Sequence, residues 1–226
     1  MLTCGFSQGG IKAVKQFVVL GLGRFGTSVA KCLMKNGNEV LAIDKDEDRV
    51  NKLRDEVTHV VEADASDSDV LESLGVGNLD VGVVSIGDDV HANILSTLIL
   101  KEQGLEKVVS RAVNDMHGTI LERVGADNVV FPERDMGERV AQHLLSENML
   151  DYIEFTPDHS IVELVAPENM IGSSLKDIDL RSQYSINVMA IKRGEEINLT
   201  PGGNDEVKEG DVLVILGKNE QLDKIK

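Results

Sequence analysis

The sequence predicts an α/β protein: a doubly wound parallel sheet with helices on both faces, followed by a small α+β domain. Three observations carry this. An apolar run, Phe17–Val18–Val19–Leu20, leads into Gly21–Leu22–Gly23–Arg24–Phe25–Gly26, a GxGxxG turn opening an amphipathic helix with Phe25, Val29 and Leu33 on one stripe. After it, short apolar runs alternate with helical stretches of about ten to fifteen residues, the pattern of parallel strands joined by crossover helices. Late in the chain the spacing changes, and strands follow one another with turns between them.

The first strand, 17–21, is apolar on both faces, as a strand covered by helices on each side must be. A helix over 24–36 leads to the strand 39–43, which ends in Asp44. Further strands are expected at 58–62, 80–86, 106–110 and 127–131, with helices near 46–55, 67–74, 89–103 and 114–124. Six strands with helices between them make a Rossmann-like sheet over residues 16–135, and its ligand belongs at the carboxyl ends of the strands. Asp44, Asp64, Ala65, Ser85 through Gly87, Arg111 and Glu133 all fall there.

A helix from about Met136 to Asn148 follows, with Val140, Leu144 and Leu145 on one stripe. The sheet is complete before it, so its apolar face is expected to pack on a partner subunit or, alternatively, on the chain's own second domain. Residues 136–156 therefore read as a crossover helix and linker, with 151–160 as the link. The second domain, 157–226, is expected to hold a strand at 161–166, a helix near 173–181, strands at 186–192, 195–199 and 212–217, and a last short helix. Pro201–Gly202–Gly203–Asn204–Asp205 is a turn by composition. The leader, 1–15, contains glycine and serine and lacks an apolar segment; it reads as a disordered extension or a foreign remnant outside the fold.

Composition narrows the function. Hydrophobic residues make up 42% of the chain, and no apolar run approaches the roughly 18 residues of a membrane span, so a soluble protein is expected. A net charge of −16 with no Lys/Arg cluster disfavours a nucleic-acid partner, and no basic helix-turn-helix segment supports a nucleotide-sensing repressor. Cys4 and Cys32 have no metal-ligand spacing and fit a reducing compartment without a disulfide framework. His59, His91, His117, His143 and His159 are scattered, and no nucleophile–base set is evident, so the chain is not expected to be an enzyme.

The glycine turn carries the chemistry. Gly21 permits the tight turn, Gly23 lets backbone approach a phosphate, and Gly26 lets the helix pack close to the strand. The phosphate then sits on free N–H groups at the positive end of the helix dipole. Asp44 and the adjoining Lys45 end the next strand, where the carboxylate can accept from ribose hydroxyls. That acid suits NAD(H) as well as ATP or ADP, which leaves an NAD(H)-binding oxidoreductase as the alternative. Arg24 sits in the first turn of a helix, where a positive charge is unfavourable without an anion nearby.

Taken with Ala63–Asp64–Ala65–Ser66, Ile86–Gly87–Asp88, Val124–Gly125–Ala126–Asp127, Pro132–Glu133–Arg134–Asp135–Met136–Gly137 and Ser160–Ile161–Val162–Glu163–Leu164, the glycine turn gives the chain a resemblance to the KtrA/KtrC-type regulatory proteins. These are TrkA-like cytosolic subunits of bacterial potassium uptake systems, built from the "regulator of K⁺ conductance" (RCK) unit. The resemblance covers about residues 16–226. It implies dimers assembling into an octameric ring on a membrane-embedded K⁺ transporter of the KtrB/KtrD kind, with ATP and ADP setting opposite ring shapes. It places Arg24 on nucleotide phosphates, Asp64 and Ala65 beside the adenine, and Glu133 on a divalent cation, Mg²⁺ or Ca²⁺, near the γ-phosphate. Arg111 faces phosphate or forms a structural salt bridge, and Ser66 or Asp67 caps a helix. The second domain is similar to a unit that binds cyclic di-AMP in some members, with Leu175, Ile178, Arg181, Ile186, Asn187 and Pro201 at that pocket.

Overall fold

The computed structural model describes residues 13–145, 149–156 and 158–225. Most of the leader, the end of the helix expected to reach Asn148, and Pro157 lie outside the described residues. The chain divides into two units, one ending at Glu133 and the other beginning at Arg134.

The first unit runs β1 (Gln16–Leu20), α1 (Arg24–Lys35), β2 (Glu39–Asp44), α2 (Glu47–Leu53), β3 (His59–Glu62), α3 (Ser68–Ser73), a 3₁₀ turn, β4 (Val81–Val84), α4 (Val90–Glu102), β5 (Lys107–Arg111), α5 (Asp115–Arg123) and β6 (Asn128–Val130). All pairings are parallel, in the order β3-β2-β1-β4-β5-β6, so the direction of winding reverses between β1 and β4. Alternate residues of β1 feed opposite faces of the sheet. Val18 and Leu20 join Ile43, Val84, Leu100 and Val108 in one cluster, while Val19 joins Ala30, Val40, Val50 and Leu53 in the other. Two cores thus clamp the strand that delivers the glycine turn.

Helix starts follow the usual chemistry at four places. Asp46, Asp67, Asp89 and Asn114 each accept from first-turn N–H groups of α2, α3, α4 and α5. Asp67, rather than Ser66, is therefore the cap on α3. At α1 the N-cap is Gly23, with no side-chain acceptor and no acid in the first turn.

The second unit takes α6 (Pro132–Leu145) from Arg134 onward, then β7 (Met149–Thr156), β8 (His159–Val165), α7 (Leu175–Ile178), α8 (Leu180–Tyr184), β9 (Asn187–Arg193), β10 (Glu196–Asn198), β11 (Val212–Lys218) and α9 (Asn219–Leu222). Its antiparallel sheet has the order β10-β9-β11-β8-β7 over a core of Val162, Leu164, Leu180, Ile186, Leu213 and Ile215. Asp211, fully buried, accepts from Arg193 Nε and Nη2 at 2.7 Å each and from the Lys208 amide at 2.8 Å, and this fork of donors holds its carboxyl below the usual range.

Two expectations are corrected. The segment read as a link is the edge strand β7, paired with β8. Its two register shifts break the period-two alternation by which a strand is recognised. The helix near 173–181 is two short helices, because Asp179 adopts a left-handed conformation, φ 49°, that no glycine announces.

Candidate functional site

At the switch point the chain turns on Gly21, whose φ of +91° suits glycine and whose added Cβ would come within 2.9 Å of the Ile86 amide. Gly26 is packed harder still: a Cβ there would lie 2.0 Å from the Gly21 carbonyl and 2.8 Å from Ser85 Oγ. Gly23 differs, since a Cβ there would meet nothing within 4 Å. Two of the glycines are thus consumed by the fold, and the third faces open space at the uncapped end of α1.

That space is a cavity lined by Gly21, Gly23, Asp44, Lys45, Asp64, Ala65, Ser85, Ile86, Gly87 and Arg111, and also by Arg49, which the sequence reading did not select. Asp44 is nearly buried; its Oδ2 accepts from the Leu22 amide at 2.6 Å and its Oδ1 from the Asp46 amide at 2.9 Å. The acid expected to meet a ribose therefore also ties the glycine turn to the end of β2, with a lone pair to spare on Oδ1. Asp64 accepts from the Ser66 hydroxyl at 2.6 Å and amide at 2.9 Å, which lowers its pKa. Ala65 is buried, and its carbonyl accepts from Ser96 Oγ of α4. Ser85 Oγ is buried without a hydrogen-bond partner among the described residues.

A second groove continues along α1, lined by Gly23, Arg24, Phe25, Arg49, Arg111 and Glu133 among others. Arg24 is exposed and Phe25 half-buried. Arg111 lies over Gly87, where a Cβ would come 2.1 Å from its Nη1, and donates to Glu133 from Nη2 at 2.6 Å and from Nε at 3.3 Å. Of the two readings offered for Arg111, the structural salt bridge is present: Arg111, which also borders the groove, forms a forked ion pair with the very glutamate assigned to a cation. Among the described residues no three metal-ligating side chains converge. Glu133 makes a cation site only with ligands from elsewhere.

α4 frames the cavity from below. Asn93 Nδ2 donates to the Ile86 carbonyl at 2.6 Å and the Arg111 carbonyl at 3.1 Å, and Thr97 Oγ1 meets Ser110 Oγ at 2.8 Å. In the second unit, Leu175 and Ile178 pack against the core that contains Ile186, while Arg181 and Asn187 are exposed. Pro201 belongs to a loop whose Gly203 carbonyl accepts from the Lys176 amide at 2.8 Å. A groove lined by Ile191, Arg193, Asn198, Asn204, Glu206 and Lys208 includes none of these six.

The fold and the first cavity define a two-part class: a Rossmann-type unit with an opening at its switch point, and a small α+β unit after it. The family models agree, with the TrkA-N domain matching residues 17–132 and the TrkA-C domain residues 159–226. The chain is 45% identical to Ktr system potassium uptake protein C of Bacillus subtilis over 90% of its own length and 92% of that protein's. It is 41% identical to Ktr system potassium uptake protein A of the same organism over 92% of its length and 94% of that protein's. The chain belongs to this family of Ktr and Trk potassium uptake regulatory proteins. Among solved structures, the GsuK RCK domain shares the fold at a TM-score of 0.65 and 18% identity, covering 95% of this chain and 47% of that one. GsuK bound to ADP matches 59% of this chain and 34% of that one at a TM-score of 0.51 and 26% identity. No described helix is long and apolar enough to cross a membrane.

Proposed function

We propose that the protein is an adenine-nucleotide-gated regulatory subunit of a potassium uptake system, acting at the cytoplasmic face of the membrane through a K⁺-transporting partner. What carries this reading is Gly23, the open position of the turn, standing between the Asp44 carboxylate and a groove with Arg24 and Arg111. Family membership supports the transport role, and the ADP complex of the related GsuK supports the ligand class.

In this reading the ribose hydroxyls bind Asp44 beside Lys45, the adenine lies along Asp64 and Ala65, and the phosphates meet the α1 amides, Arg24 and Arg111. ATP carries one more phosphate than ADP. That phosphate, with a divalent cation, competes for Glu133 and draws it from Arg111. The exchange links phosphate count to the first turn of α6. Met136, Val140 and Leu144, four residues apart on α6, are 56, 50 and 78% exposed, an apolar stripe suited to a second subunit. The dimer so formed builds an octameric ring. To carry such a ring from one shape almost wholly to the other, the two nucleotides must differ about ten-thousandfold in state preference, a difference several subunits can share. Cyclic di-AMP on the second unit, near Arg181 and Asn187, biases the same equilibrium from a separate site.

The test is titration of the purified protein with ATP, ADP and NADH by calorimetry, with and without Mg²⁺ or Ca²⁺, followed by native mass spectrometry. Tight binding of ATP and ADP with different assemblies supports the reading. Indifference to both nucleotides overturns it, and turnover of NADH with carbonyl substrates favours an oxidoreductase instead.

A further inference from the structure

The guanidinium of Arg49, on the first turn of α2, has three carboxylate neighbours. Its Nη1 lies 3.4 Å from Asp44 Oδ2 and its Nε 3.4 Å from Asp46 Oδ2, both at the β2 end of the cleft. Its Nη2 lies 3.6 Å from Asp88 Oδ2, on the loop between β4 and α4. Arg49 thus spans the two strand ends that flank the glycine turn, and it lines both the cavity under the turn and the groove along α1. The three contacts are not equivalent. Asp44 is 5% exposed and fixed by two backbone amides, whereas the Asp88 side chain is 89% exposed. A pair with so exposed a carboxylate at that distance contributes little, because water competes for both partners. A phosphate oxygen on the α1 amides would be a better acceptor, since a guanidinium offers paired, rigidly spaced donors that phosphate matches.

We infer that Arg49 is a phosphate ligand of the nucleotide, anchored through Nη1 and Nε on the β2 side and held in reserve by Asp88 through Nη2 until a diphosphate replaces that carboxylate. The inference rests on the nucleotide reading above and adds a residue and a competing anion to it. Only one end of the guanidinium has to change partner, so the cation is oriented before the ligand arrives. Asp88 serves as a stand-in for phosphate and sets a threshold that ligands without phosphate do not overcome.

The experiment compares ADP with adenosine by calorimetry on the full chain, in wild type, Arg49→Ala, Arg49→Lys, Asp88→Asn and the Arg49→Ala/Asp88→Asn double variant. Arg49→Ala is expected to weaken ADP about 10- to 100-fold, Arg49→Lys less, and neither to change adenosine by more than about twofold. Asp88→Asn, at an exposed position that does not endanger folding, is expected to tighten ADP about threefold, and that gain should vanish in the double variant. Equal losses for ADP and adenosine in Arg49→Ala would make Arg49 a mere charge partner of Asp44 and overturn the inference while leaving the nucleotide reading standing. ADP affinity that Asp88→Asn leaves unchanged or lowers overturns it as well. Failure of wild type to bind ADP overturns both.

Discussion

Two glycines three residues apart in the same turn separate folding from binding. Alanine at Gly26 places a methyl 2.0 Å from the Gly21 carbonyl and 2.8 Å from Ser85 Oγ, so backbone and not a flexible side chain must give way. Overpacking a rigid contact of this kind costs typically 1–3 kcal/mol, and a backbone clash belongs at the upper end, about 3 kcal/mol. For a chain of this size that lowers the melting temperature by roughly 6–12 °C. Alanine at Gly23 meets nothing within 4 Å, and its φ of −66° suits any residue. Its folding cost is the modest loss of a good N-cap, about 0.5–1 kcal/mol, but its methyl stands where a phosphate must approach the α1 amides. Differential scanning calorimetry and ADP titration of both variants should therefore give opposite ranks: Gly26→Ala the less stable, Gly23→Ala the weaker binder at near-native stability. Equal melting temperatures would refute the packing argument. Undiminished ADP affinity in Gly23→Ala would remove the phosphate from the helix end.

Glu133→Gln should abolish the effect of Mg²⁺ or Ca²⁺ on ATP affinity and spare ADP; isothermal titration with and without cation decides, and retained cation dependence removes Glu133 from that role. Asp211→Asn should lower the melting temperature of the second unit by about 5 °C, through the loss of a buried acceptor shared by three donors. Because the Asp211 carboxyl is held below its ordinary value, its contribution is complete above about pH 4 and is lost as the pH falls below that, so the two proteins should converge in stability in acid. His117 is 2% exposed and burial lowers its pKa. The unfolded chain therefore takes up a proton near pH 6.5 that the folded first unit resists, and stability should decline as the pH falls below about 6.5. In His117→Gln that part of the decline, followed by chemical denaturation at several pH values, should disappear.

The parallel sheet was legible because its strands are near-continuous apolar runs and four of its helices announce themselves with Asp or Asn caps. The GxGxxG turn and Asp44 were legible for the same reason: each occupies a fixed place relative to a strand end. Arg49 was not. It lies five residues past Asp44 on a helix surface, and only the fold brings it over the cleft toward Asp88, more than thirty residues away in sequence. An arginine one turn beyond the acid that ends the second strand is the signal that was there to read. The salt bridge offered as one reading of Arg111 was legible, but its partner was not, because Glu133 taken singly looks like a cation ligand. β7 was hidden by its bulges, and the break at Asp179 by the absence of glycine.

α4 is apolar through most of its length, yet Asn93, Ser96 and Thr97 are 0% exposed within it. Their hydrogen bonds end on the carbonyls of Ile86, Arg111 and Ala65, which line the cavity from three different strand ends, and on the Ser110 hydroxyl of β5. A redesign that made this helix uniformly aliphatic would gain oily contact area and leave those carbonyls stranded away from water, at about 1–3 kcal/mol apiece. It would also unfasten those strand ends from one another. The helix thus works as a rivet line, and its three small polar side chains are where tolerance to mutation in the first unit should be lowest outside the glycine turn.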